Sequence, residues 1–266
     1  MRWTVLLASF VALCLSSVSF GGEKTKILLV GKNRDHPYAT HEYMVECRLL
    51  AKCLQQTKGI ETIVSNGWPT DPEMLKDVDA IVLYTRNGGD VILSPKARKQ
   101  VLAMLKNGVG LTAIHWSTGA NNINGPEYKK ILGGWFSRPY AGSRLNTTNT
   151  KLLQADGKHP ICRGWDEYDL RDEYYLDLKF QEDIHPVMQV KLDKKVHTVG
   201  WTYKRADGGK SFGFVCGHFH ANFGEPKFRK AIVNGILWTA DVEVPKTGAS
   251  VNVTKKDLEL PPKGQK

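Results

Sequence analysis

The sequence predicts a three-layer α/β fold: a mostly parallel central sheet with helices on both faces, extended by antiparallel strands in the C-terminal half. Three observations carry this. Short apolar runs alternate with helix-period segments through residues 25–116, the pattern of βαβ units. The first run, Ile27 to Val30, is apolar throughout rather than alternating, as a buried parallel strand is. Beyond residue 170 the strand-like pieces follow one another closely, which favours antiparallel pairing over crossover connections.

The elements follow in order. Ile27 to Val30, ending at Gly31, is the first strand, followed by a polar loop through Thr40. A helix over 41–56 places Tyr43, Cys47, Leu50 and Leu54 on one stripe, and Gly59 ends it. Residues 60–65 form the second strand and 78–85 the third, with Asp79 near its start. Ser94-Pro95 reads as N-cap and first turn of a helix carrying Val101, Leu102 and Leu105. Residues 109–115 make the fourth strand. From 117 to 146, Gly, Asn, Pro and aromatic residues crowd together and read as irregular. Strand-like pieces follow at 174–180, 187–190, 196–203 and 211–216. A last helix over 225–240 starts at Glu225-Pro226 and turns Phe228, Ile232, Ile236 and Trp238 inward. This makes one domain over 25–241, and the Lys-, Pro- and Thr-rich tail over 242–266 is expected to be loosely ordered.

Composition narrows the class. Of 266 residues, 41% are apolar and 24% charged, so a sizeable core is within reach. The net charge of +10 is spread over scattered lysines with no basic block interleaved with aromatics, so no nucleic-acid partner is expected. Arg2, the apolar stretch from Val5 to Leu15 and the small residues Ser17 to Ser19 read as a signal peptide over residues 1–19. The apolar stretch is shorter than the roughly 20 residues of a membrane span. Export to the periplasm or beyond is therefore expected, without stable membrane insertion. Four cysteines follow, Cys47, Cys53, Cys162 and Cys216. Cys47 and Cys53 share a helix but not a face, and a Cys162–Cys216 bridge competes with the reading of all four as buried free thiols.

Ligands of open parallel sheets bind at the carboxyl ends of the strands. The predicted strand ends carry His36 and His41 after the first strand, Arg86 after the third, His115-Trp116 after the fourth, and His218-Phe219-His220 after the last. Five of the eight histidines thus fall in one region of the fold. His115 occupies a strand-to-helix turn where hydrolases and amidotransferases hold a nucleophile, yet neither Ser nor Cys stands there. Imidazole there fits a general base, a metal ligand or a hydrogen-bonded structural residue. His218 and His220 fall on one side if the segment is extended. That makes His115, His218 and His220 candidate ligands for a divalent metal such as zinc. Asp172-Glu173-Tyr174 precedes a strand and fits acid/base work or sugar binding. Trp116 and Tyr174 are candidates for stacking on sugar rings.

The order and spacing of Ile27–Gly31 with His36 and His41, Val109–His115, His159-Pro160, Asp172-Glu173-Tyr174, Gly217-His218 and Phe228–Trp238 resemble the ThuA-like, trehalose-utilisation family. The resemblance covers about residues 25–240. It implies the flavodoxin-like fold of class I glutamine amidotransferases without their catalytic cysteine, so amidotransferase activity is not expected. It also implies a role in the use of trehalose-type or keto-disaccharides. His115, Glu173 and His218 match the family's recurring polar positions and are the expected catalytic residues; His36, His41, Arg86, Trp116 and Tyr174 are the expected substrate contacts. His220 departs from the family pattern. The alternative is a non-catalytic carbohydrate-binding module on the same fold.

Overall fold

A computed structural model describes residues 24–137 and 142–264. The expected signal peptide lies outside them. The main sheet has nine strands in the order β2-β1-β3-β4-β11-β10-β9-β6-β7. Its parallel half comprises β1 (Thr25–Gly31), β2 (Ile60–Asn66), β3 (Ala80–Leu83), β4 (Gly110–Ile114) and β11 (Lys210–Phe214). The sequence 2-1-3-4-then-last is the doubly wound flavodoxin-like order. The antiparallel half comprises β6 (Arg144–Gln154), β7 (Tyr168–Leu176), β9 (His185–Leu192) and β10 (Lys195–Lys204). A separate pair joins β5 (Gly134–Trp135) to β8 (Lys179–Phe180).

Alternation along β11 sets the two helical layers. Phe212 and Phe214 face α6 (Pro226–Thr239): Gly235 lies so close to the Phe212 ring that a Cβ there would come within 2.2 Å of it, and Phe214 packs on Phe228. Ser211 and Gly213 point to the opposite face. There the Ser211 hydroxyl donates to Ile131 O in α4 (Gly125–Leu132), and Gly213 lies against Trp201. The helix α1 (Tyr43–Leu54) shares the α6 face, and an Arg98–Glu127 ion pair ties α3 (Arg98–Lys106) to α4. The four cysteines among the described residues, Cys47, Cys53, Cys162 and Cys216, are free and buried.

Several expectations need correction. The Ser94 hydroxyl donates back to Val91 O instead of capping forward; the helix expected from Ser94-Pro95 starts only at Arg98, as α3, and a short α2 (Gly88–Ile92) that the sequence reading lacks precedes Ser94. The stretch 117–146, read as irregular, contains α4 and the start of β6. The latter is polar along both faces and has no apolar period to reveal it. Asp172-Glu173-Tyr174 does not precede a strand but lies inside β7. The tail is laid on the protein rather than loose: Val244, Ala249 and Val251 are buried, and the Arg229 guanidinium donates to Val251 O. Farther on, Lys52 binds Asp257, which caps a last 3-10 turn together with Thr254. Among the described residues no helix is long and apolar enough to cross a membrane.

Candidate functional site

Three parallel strands, β1, β4 and β11, deliver a histidine each to one point, and β7 adds a carboxylate. The loop after β1 ends at His41, whose backbone is left-handed at φ 49°. Directly after β4, His115 turns the chain with φ 53°. Both conformations are rare for side-chain-bearing residues and are held by surrounding structure. After β11, Gly217 takes φ 128°, and Tyr84 at the end of β3 donates its hydroxyl to the Gly217 carbonyl. The two histidine loops clasp through main chain: His41 N–H donates to His218 O at 3.1 Å, and His220 N–H to Ala39 O at 3.0 Å.

The result is a compact cluster. His41 Nε2 lies 3.0 Å from His115 Nε2 and 2.9 Å from His218 Nδ1. A Glu173 carboxylate oxygen lies 3.5 Å from His218 Nδ1 and 3.8 Å from His115 Nε2. One donor atom from each of these four residues falls within 4.8 Å of every other. A second such group, Asp35, His36 and His41, adjoins it. Among the described residues, these two groups are the places that could hold a metal.

Around the cluster, partners fix the rings. His115 is wholly buried and its Nδ1 meets the Val215 carbonyl at 2.7 Å. The His41 Nδ1 faces Asp35 at 3.3 Å and the Tyr43 hydroxyl at 2.8 Å. Tyr175 stacks on His115, its hydroxyl 3.1 Å from Nε2. Behind them the Asp172 carboxylate accepts the N–H groups of Gly217, His218 and Glu173 and the Asn222 amide. Asp172 thus holds the Gly217-His218 turn in place.

Burial governs the electrostatics. It drives the His115 pKa well below its ordinary value, with His41 adding to the effect. Burial lowers His218 to about 4 and also lowers His41. These rings are therefore neutral near pH 7 and their free nitrogens are bases or ligands. Burial alone would raise Asp35, but hydrogen bonds from His41 and His36 bring it down to about 2. Burial raises Tyr175 well above its usual value, so its hydroxyl stays protonated. Burial also raises Asp172 to about 7 against its hydrogen bonds.

Of the sequence-expected residues, His41, His115, His218 and Glu173 are brought together. His36 lies beside them, its ring 3.8 Å from His41 and 5.1 Å from Trp116, centroid to centroid. The Arg86 guanidinium covers Trp116 at 4.8 Å. Arg86 and Asp35 also border an open cleft of about 770 Å³ that contains Trp68, Asn87 and Gln100. Two residues are elsewhere. Tyr174 is buried on the other side of β7, its hydroxyl donating to Leu170 O. His220 binds Glu46 and the Leu258 carbonyl, because the chain turns into α5 (His220–Phe223) instead of staying extended.

Sequence reasoning missed Tyr175 and Tyr43. The first could have been found by parity, since side chains two apart on a strand share a face and Glu173 marks that face. No acyl nucleophile occupies the β4 turn: the Ser117 hydroxyl is bonded to the backbone N–H and carbonyl of Thr85. The Cys216 thiol is buried and its pKa raised well above normal by that burial.

A family model described as ThuA, trehalose utilisation, matches residues 26–239. Among solved structures, a protein from Bacteroides uniformis described as ThuA-like is 15% identical, with TM-score 0.63 over 87% of this chain and 96% of its own. A second, from Parabacteroides merdae, is 17% identical, with TM-score 0.61 over 90% and 100%. A cytoplasmic protein from Salmonella typhimurium is 16% identical, with TM-score 0.54 over 82% and 98%. No curated protein matches.

Proposed function

The chain belongs to the ThuA, trehalose-utilisation, family, and from that premise we propose that it is an enzyme of carbohydrate utilisation acting on a keto-disaccharide or related sugar. The supporting observation is the convergence of His41, His115, His218 and Glu173 at the carboxyl edge of the sheet, beside a cleft large enough for a disaccharide. In this reading Glu173 moves a proton at the reacting carbon. The C–H next to a keto group is acidic enough for a carboxylate or neutral imidazole to take its proton. Its electron pair can then expel the glycosidic oxygen, which takes up the proton that Glu173 removed. His115 and His218 flank that carbon, while Trp116 and Arg86 form one wall for the sugar. The same reading has the protein exported by its first 19 residues.

Purified protein supplied with disaccharides and their oxidised keto forms tests this. Release of monosaccharide by the wild type, lowered about 10²–10⁴-fold in Glu173→Gln, is the expected result. Saturable sugar binding with no turnover would remove the enzymatic reading.

A further inference from the structure

We infer that His41, His115, His218 and Glu173 form a mononuclear site for a first-row divalent transition ion. The inference adds a cofactor to the proposed catalytic site and rests on that site's location, though not on its substrate.

The argument begins with tautomers, which are assigned from partners. A carbonyl oxygen only accepts, so the His115 Nδ1 that meets Val215 O carries the ring hydrogen and its Nε2 is bare. Asp35 Oδ1 faces His36 Nδ1 at 2.8 Å and His41 Nδ1 at 3.3 Å, and the Tyr43 hydroxyl, 2.8 Å from the same His41 nitrogen, can also accept; a hydrogen on His41 Nδ1 serves these acceptors and leaves its Nε2 bare as well. The two bare nitrogens then face each other at 3.0 Å. Two lone pairs at hydrogen-bond distance with no hydrogen between them repel. A cation held by both converts that repulsion into coordination, and His218 Nδ1 and the Glu173 carboxylate complete the set.

Spacing agrees. Bonds of about 2.0–2.1 Å in a tetrahedron put neighbouring donors about 3.3 Å apart. Four of the six edges are 2.9, 3.0, 3.5 and 3.8 Å, and the other two are no longer than 4.8 Å. Three imidazoles and one carboxylate suit zinc, iron, cobalt or manganese rather than calcium or magnesium. The outer partners are those of metal-bound histidine: a carbonyl behind His115 and a carboxylate behind His41. Glu173 and His218 keep 16% and 13% of their side chains exposed, so a further ligand, water or a sugar oxygen, can reach the ion from their side. An ion there polarises a bound carbonyl.

The test uses full-length protein stripped with chelator and titrated with Co(II), read by its visible d–d bands. One equivalent should saturate. His115→Asn and Glu173→Gln should abolish saturation while near-UV circular dichroism is retained. Asp35→Asn, which removes a positioning residue but no ligand, should weaken binding about 10–100-fold. His185→Asn, on an exposed histidine that opens β9 and pairs with Asp156, should bind like wild type. Absence of a saturating signal in wild type overturns the inference. So do bands that survive His41→Asn, His115→Asn and Glu173→Gln alike. Cobalt binding without sugar turnover upholds the site and removes only the sugar reading. Turnover that persists in protein shown to be metal-free overturns the site and leaves the sugar reading standing.

Discussion

The Tyr175 ring lies on the His115 ring, with centroids 4.6 Å apart and planes 22° from parallel, and its hydroxyl reaches His115 Nε2 at 3.1 Å. Glu173, two residues earlier on β7, also hydrogen-bonds that hydroxyl. Tyr175→Phe keeps the stack and removes the donor. Turnover should fall about five- to tenfold, the worth of one buried hydrogen bond, with little change in KM. An unchanged kcat would show that Tyr175 serves packing alone.

His115→Asn separates chemistry from scaffold. Asn tolerates left-handed backbone better than most residues, and its amide can donate to Val215 O in place of Nδ1. The melting temperature should shift by only a few degrees while turnover drops about 10²–10⁴-fold. A large loss of stability with normal turnover would make His115 a framework residue.

Removing residues 242–266 should destabilise the protein measurably by thermal melting. The cut exposes the surface under Val244, Ala249 and Val251 and strips Arg229 of the Val251 carbonyl. Arg229→Met should recover part of the loss in the truncated protein, since it removes the unsatisfied buried charge. A truncated chain that melts like the full one would contradict the packing described for the tail.

A pH effect on stability is expected at His159, away from the cluster. Burial, aided by His185 and Arg163 and opposed by Asp156, lowers its pKa from 6.5 to about 4. Between those values the unfolded chain binds a proton that the folded chain refuses. The contribution is complete above about pH 6.5 and is lost as pH falls towards 4. His159→Asn can still accept the Ile161 N–H, and its denaturation midpoint should decline less than wild type over this window. Parallel curves for the two proteins would count against it.

The parallel half of the fold is legible because short apolar runs such as Ile27 to Val30 and Ile81 to Leu83 alternate with helix-period segments. Strand β6 is not legible: Asn146 to Thr150 is polar on both faces and Leu145 stands exposed, and its place is fixed by pairing with β7 rather than by burial. The histidines of the site could be found because the switch-point rule needs only strand ends. Tyr174 is expected at the site because it follows Glu173 directly, but adjacent side chains of a strand face opposite ways, so Tyr174 turns inward and Tyr175 shares the face of Glu173. His220 was grouped with His218 on the assumption of extended chain, which the helical turn at His220 breaks.

The main-chain clasp between residues 39–41 and 218–220 has a mechanical consequence. The gap between His41 and His218 is set by peptide units, with Thr40 and Phe219 paired as in a two-rung ladder. The other side chains of these loops can therefore move without shifting the backbone from which the two rings project. Neither loop can swing aside alone, and a sugar too bulky for the gap would have to displace the ends of β1 and β11 together.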